Sequence, residues 1–200
     1  MSSNRYEKER ERTRLAFLNA TLNLILEHGY DVVTVADIAR EADYGRSTFY
    51  EHFADKEAVA WAILEHHMLT LDEQIGKATL GLYYPHGEWI AWCMIFRDIE
   101  KQRPFFLKMD GELSRRLRER QKELLIAGFE MQYRHYPPPF LRDVPADIGA
   151  RFVIGSALEV LDYWLTHPDI GTADEMAKML FKMLYRQDPP EDYRYSILLS

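Results

Sequence analysis

The stretch Thr34-Val-Ala-Asp-Ile38-Ala39-Arg-Glu-Ala42-Asp-Tyr-Gly45-Arg-Ser-Thr48-Phe49-Tyr50-Glu-His52-Phe53-Ala-Asp-Lys56-Glu57 holds two short helical patterns separated by a three-residue break. Val35, Ile38, Ala39 and Ala42 recur at i, i+3, i+4 and i+7, the spacing of one helix face. Thr34 stands just before them and Asp37 three residues later, a capping-box arrangement in which each side chain satisfies a backbone N–H of the first turn. Asp43-Tyr44-Gly45 interrupts the pattern. Phe49 and Phe53, four apart, then share one face of a second helix, while Arg46, Ser47 and Tyr50 share another. A short helix, a tight turn and an amphipathic helix with a polar outer face together make a shape that seats an α-helix in the roughly 12 Å wide major groove of DNA. A plain helical hairpin inside a bundle has the same periodicity, so spacing alone leaves both readings open.

Working outward, Leu15, Leu18, Leu22 and Ile25 give a first helix of about 20 residues, closed by His28-Gly29, with Gly29 suited to a left-handed helix end. Asp55 can cap a fourth helix, whose stripe Leu64, Met68, Leu71 and Ile75 outruns a compact three-helix unit and makes it the expected connector to the rest. Beyond Lys77 the pattern predicts helical segments over 88–102, 104–110, 112–133, 146–166 and 173–186, punctuated by Pro85, Pro104, Pro137 to Pro139, Pro145 and Pro168. No segment alternates with period two. The expected fold is all-α: an N-terminal three-helix helix-turn-helix unit over 1–70, with its recognition motif at about 34–53, and a helical body over 71–200. The stretch from Asp188 reads as a tail that Tyr193, Tyr195, Ile197 and Leu198 can order.

A 47% apolar and 13% aromatic composition supports a sizeable core. The formal net charge is −7, and residues 1–57 carry eight Lys/Arg against eleven Asp/Glu, so any nucleic-acid contact has to come from a local patch and fixed geometry. The lone Cys93 excludes an internal disulfide, and the N-terminal residues alternate acid and base where a signal segment would be apolar; a cytoplasmic protein is expected. The longest apolar run, Trp89 to Phe96, is far short of the roughly 20 residues that cross a bilayer, so no membrane span is expected. Enzyme chemistry finds no foothold: there is no glycine-rich phosphate loop, nucleophile elbow or metal-spaced Cys/His pair. His66-His67 is not ligand spacing, because neighbours on a helix point about 100° apart. No enzyme activity, cofactor or metal is expected.

The identities across Thr34–Glu57, with Phe17-Leu18, Ala20 and Gly29-Tyr30 before them, resemble the signature of the TetR family of transcriptional regulators, TetR/AcrR-like, over about residues 10–70. The resemblance implies a regulator that binds a palindromic double-stranded DNA operator as a homodimer and is released from it, as a repressor, by a small-molecule effector. Under it Thr34 meets a phosphate through its hydroxyl or a helix N-terminal amide. Gly45, Arg46, Ser47, Thr48 and Tyr50 form or flank the face toward the bases, where an arginine fork fits a guanine edge and a threonine methyl fits thymine. Tyr44, His52 and Lys56 flank that face, with Lys56 placed for a phosphate. Each has a plainer reading: Tyr44 packs over the turn, His52 caps its helix, Lys56 is a solvated cation. Phe49, Phe53, Ile38, Ala39 and Ala42 are expected inside. Two positions depart from the family pattern, Asp43 where glycine is usual and Gly45 where a serine commonly caps; Asp tolerates the left-handed conformation and Gly is an acceptable N-cap. Arg5, Lys8, Arg10, Arg12 and Arg14 can reach adjacent backbone, but Glu7, Glu9 and Glu11 suit a solvated face equally.

By the same resemblance residues 71–200 are an effector-binding and dimerisation domain. Phe152, Ile154, Leu158, Leu161 and Leu165, followed by Met176, Met179, Leu180 and Met183, supply apolar surface for pairing, and an ordinary intramolecular core would look alike. Trp89, Trp92, Phe96, Phe106, Phe129 and Tyr133 are the candidates to line a pocket for an apolar or aromatic effector, with Arg97, Arg103, His135 and Glu159 able to orient a polar group. The alternative is a helical small-molecule-binding or interaction protein with degenerate DNA binding, which the acidic balance favours.

Overall fold

The structure, a computed structural model, describes residues 2–109 and 111–190. Among these the chain is all-helical: α1 (Ser2–His28), α2 (Val35–Glu41), α3 (Arg46–His52), α4 (Lys56–Thr79), α5 (His86–Lys108), α6 (Gly111–His135), α7 (Ala146–Thr166) and α8 (Ala173–Tyr185), with 3-10 turns at Pro139–Leu141 and Pro168–Ile170. Tyr193, Tyr195, Ile197 and Leu198 lie outside the described residues. The chain forms two compact units, one of Met1–Thr70 and Pro104–Ser114, the other of Leu71–Arg103 and Arg115–Ser200. The fourth helix is therefore not alone in joining them: α4, α5 and α6 each contribute residues to both units.

In the first unit α1 buries Leu18 and Ile25 as expected, but Phe17, Thr21 and Leu24 take the places expected for Leu15 and Leu22. Phe17, Leu18, Thr21, Leu24 and Ile25 are inside, while Leu15 is 37% exposed and Leu22 only half-buried. The ring of Phe17 explains the shift, because its area dominates the choice of face: it meets Phe49 at 5.4 Å, Tyr44 at 5.5 Å, His52 at 5.9 Å and Phe53 at 6.4 Å between centroids. Gly29 ends α1 at φ 85°, with its N–H bonded to Ile25 O at 2.8 Å, the left-handed ending that glycine permits. From the returning segment, Phe105 and Met109 are buried in their own unit and Lys108 O accepts from the Tyr30 N–H at 3.1 Å.

Pro104 does not divide the fifth helix as expected; α5 runs through it. A proline inside a helix costs about 3 kcal/mol in a lost hydrogen bond and ring clash. Burying a side chain such as Phe105 or Met109 is worth about 1.5–3 kcal/mol each, enough for the pair to hold the turn that follows the proline.

In the second unit α7 and α8 pack their apolar faces into a core with Trp89, Trp92, Cys93 and Phe96 of α5 and Ile126 and Tyr133 of α6. Thr172 and Glu175 close a capping box at the start of α8. Ile154, Leu161, Met176 and Leu180, expected as pairing surface, are buried in this core, Leu165 is buried as well, and Leu158 packs against the core. The apolar side chains these helices leave outside are Ile148, Phe152, Tyr163, Met179 and Met183, each about half exposed.

Candidate nucleic-acid interface

The turn between α2 and α3 is built by backbone geometry. Asp43 takes the left-handed conformation at φ 59°; its N–H bonds to Arg40 O at 3.2 Å and the N–H of Tyr44 to Ala39 O at 3.0 Å. Those are the two reversed hydrogen bonds of a Schellman ending, which satisfy carbonyls that the end of α2 leaves open. Asp43 therefore does in this turn what glycine does elsewhere, at the lower cost that aspartate pays there. Gly45 is the N-cap of α3 in an ordinary extended conformation and offers no side-chain hydrogen bond.

Behind this turn, Phe49, Ile38 and Ala39 are buried and Phe53 nearly so, and Ala42 packs half-buried beside them. With Phe49 fixed inward, the helical period carries Arg46, Ser47 and Tyr50 to solvent, Tyr50 at 58% exposure. Thr48 is half-buried on the flank. The Arg46 guanidinium makes no hydrogen bond or ion pair among the described residues, leaving its five donors available to an acceptor pair on a base edge.

The flanking residues are more engaged. At the start of α2 the capping box is complete: Asp37 N–H donates to Thr34 Oγ1 at 3.2 Å, and Thr34 N–H and Oγ1 both donate to Asp37 Oδ2, at 3.1 and 2.5 Å. These bonds, the Thr34 hydroxyl first and Arg40 next, hold the Asp37 carboxyl below its usual range. The hydroxyl and amide expected to meet a phosphate are thus committed to Asp37. Tyr44 packs its ring on Phe17 and receives a 3.4 Å hydrogen bond from Thr13 Oγ1. His52 lies against the same ring, and burial, then the charges of Arg10 and Arg14, lower its affinity for a proton. Lys56 Nζ donates to Tyr30 O at 2.9 Å and to Asp31 O at 3.4 Å and sits 4.1 Å from the Tyr30 ring centroid. It clamps the α1–α2 loop to the start of α4, a role that spacing could not show because the carbonyls it serves are 25 and 26 residues away.

In the second unit, Trp89, Trp92, Phe96 and Tyr133 are buried in one cluster, with Phe129 packed against it. Phe106 lies in the other unit, beside Phe105 at 5.7 Å, and does not join them. Arg97 is bound to Asp174 through two 2.6 Å hydrogen bonds, Arg103 stacks over Trp164 at 4.6 Å, and Glu159 and His135 are exposed. Sequence reasoning did not single out Tyr185 in this unit, which accepts a hydrogen bond from Trp92 Nε1 at 3.2 Å. Among the described residues there is no group of three His, Cys, Asp or Glu that could hold a metal.

Residues 17–63 match the family described as bacterial regulatory proteins, tetR family. The match is confined to this N-terminal module, residues 17–63. It is 38% identical over 65 residues to the uncharacterized HTH-type transcriptional regulator YwcC of Bacillus subtilis (strain 168), a match spanning 32% of this chain and 29% of that protein. The matched segments span between 29% and 41% of the length of the curated relatives that the chain matches. Two solved structures share the fold over nearly the whole chain. Native NalD, the secondary repressor of the MexAB-OprM multidrug efflux pump in Pseudomonas aeruginosa, is 21% identical with TM-score 0.64, covering 92% of this chain and 98% of NalD. A complex of SmeT with triclosan is 19% identical with TM-score 0.65, covering 90% and 92%. Among the described residues no helix is long and apolar enough to cross a membrane.

Proposed function

We propose that the chain is a DNA-binding transcriptional regulator, not an enzyme, which acts in the cytoplasm as a homodimeric repressor and leaves a palindromic operator when a small-molecule effector binds its helical body. The observation that carries this reading is the exposed, uncommitted Arg46 with Ser47 and Tyr50 on a helix whose other face is locked by Phe49. Arg46 reads a guanine edge, Thr48 and Tyr50 add apolar and polar contacts, and Lys56 at the start of α4 supports the loop whose backbone lies toward the phosphates. Thr34, Tyr44, Gly45, Ser47 and His52 complete the contact surface, with Thr34 exchanging Asp37 for a phosphate oxygen.

A single module reads one half-site, and two must be held about 34 Å apart, or a multiple of it, to read both. The half-exposed apolar side chains on α7 and α8 provide the surface for a second copy. NalD is named a repressor and SmeT is seen with triclosan, which supports repression and small-molecule control here. Selection of bound sequences from a random DNA pool tests the reading: a palindrome with two half-sites is expected. Recovery of no enriched sequence overturns it in favour of an interaction protein, the class that the acidic balance of residues 1–57 favours.

A further inference from the structure

Helix α1 has a second seam. Phe17, Thr21 and Leu24 point into the core, while Lys8, Arg12, Leu15, Asn19, Leu22 and Leu26 follow one another by fours and threes along the opposite side. That is the a/d spacing of a coiled coil, with Arg12, Asn19 and Leu26 at a and Lys8, Leu15 and Leu22 at d. Leu15 is 37% and Leu26 40% exposed, Leu22 is half-buried and Asn19 stands in solvent. Arg12, Leu15, Ala16 and Asn19, at i, i+3, i+4 and i+7, are the four residues of a coiled-coil hole; with Lys8 and Glu11 they line an open trough of about 480 Å³.

The charges along this seam are divided by end. Lys8 and Arg12 make no ion pair among the described residues, and Glu11 turns to Arg14 at 3.9 Å. At the other end stand Glu27, exposed with His28 beside it at 3.5 Å, then Asp31 and the last carbonyls of the helix, which also favour positive charge.

We propose that this seam pairs, antiparallel, with the same seam of a second copy of the chain, through a contact separate from α7 and α8. In that register Leu15 of one copy lies opposite Leu26 of the other and Asn19 opposite Leu22, about a two-fold axis between residues 20 and 21. Lys8 and Arg12 then meet the acidic, carbonyl-rich end of the other helix. The two Asn19 amides lie near the axis, where a polar residue at an a position fixes register. A parallel pair would set Lys8 on Lys8 and Arg12 on Arg12. Four side chains from each copy fall far short of the roughly 20–30 residues a side of a standard interface. The contact is therefore weak in dilute solution and forms between copies held close together, as on neighbouring operators. It lies on the side of α1 away from Phe17 and the α3 rings that Phe17 touches, so pairing leaves the polar face of α3 open. This goes beyond the DNA-binding reading, and the pairing itself needs no DNA.

The test uses the full chain at high concentration without DNA, as separate Leu15→Cys and Leu26→Cys variants. Both new thiols replace exposed side chains, and the native Cys93 is buried. Mild oxidation by copper phenanthroline should link a mixture of the two variants and leave each alone mostly unlinked. No linking of the mixture, or linking of Leu15→Cys to itself as readily as to Leu26→Cys, overturns the antiparallel seam. Sedimentation equilibrium gives a second measurement without introduced cysteines. Glu27→Arg should weaken the weakest association step by about fivefold, the scale of two exposed ion pairs lost, and Arg12→Glu added to the same chain should restore it. A step indifferent to Glu27→Arg, or not restored by the second change, also overturns the proposal.

Discussion

Arg46 carries the sharpest residue-scale expectation, because its fork is exposed and uncommitted. Arg46→Ala should weaken specific binding by about 1–3 kcal/mol and relax preference at one base pair per half-site, as expected for loss of a bidentate base contact; quantitative mobility shifts on single-base operator variants check this, and unchanged discrimination removes Arg46 from base readout. His52 supplies a pH signature. Burial against Phe17, then Arg10 and Arg14, place its folded pKa below the ordinary 6.5, so the folded state resists protonation that the unfolded chain accepts. Its contribution to stability is present above 6.5 and is lost as pH falls from there toward the lowered value. A nearby phosphate reverses the preference, so operator affinity should rise between about pH 7 and about pH 6 and flatten in His52→Gln. Parallel slopes in both proteins would place His52 away from DNA. The polar face of α3 was legible because one buried Phe49 fixes it, but the engagement of Thr34, Tyr44 and Lys56 was not, since it depends on partners distant in sequence or shared within a cap.

At the scale of elements, α1 shows what periodicity misses. The expected stripe on Leu15 and Leu22 fits a helix as well as the observed one on Phe17, Thr21 and Leu24; the choice rests on which face has a ring large enough to fill the space between α2 and α3. That choice leaves Thr21 fully buried with its hydroxyl unpartnered among the described residues. A buried polar group without a partner costs about 1–3 kcal/mol, and valine keeps the branched shape without the hydroxyl. Thr21→Val should therefore raise stability by about 1 kcal/mol in denaturant unfolding, while Thr21→Ala, which leaves a cavity, should not; a destabilised valine variant would mean that the hydroxyl is satisfied. The helix boundaries beyond α4 were legible from prolines and caps, except at Pro104, where burial of Phe105 and Met109 outweighs a breaker that local rules treat as final.

Across the whole molecule, the all-α class and the order of elements could be read in advance, whereas the return of Pro104–Ser114 to the first unit could not, because long-range membership leaves no periodic trace. Two expectations change at this scale. The first is dimerisation: Leu161 is internal, so the informative substitutions are Phe152→Asp and Met179→Asp on the exposed faces of α7 and α8. The double variant should sediment as a folded monomer and lose most operator affinity with the second half-site; a persisting dimer puts the interface elsewhere. The second is the route of signalling. With α4, α5 and α6 each contributing to both units, an effector in the body has three helices through which to alter the recognition module. Two of the three, α4 and α5, meet at one residue, since Tyr30 donates its N–H to Lys108 O of α5 and offers its carbonyl to Lys56 Nζ of α4. The expected coupling is about 1–3 kcal/mol and must be reciprocal, so saturating operator weakens effector binding by the same factor that effector weakens operator binding. Lys56→Met removes the clamp while keeping much of the side chain's length; it should shrink that coupling more than it shrinks effector affinity for the free protein. Calorimetry of an effector with and without operator, on both proteins, measures all four affinities. Coupling unchanged in Lys56→Met would exclude the Lys108–Tyr30–Lys56 chain as the route, and equal affinities in the unmodified protein would mean that body and module do not communicate.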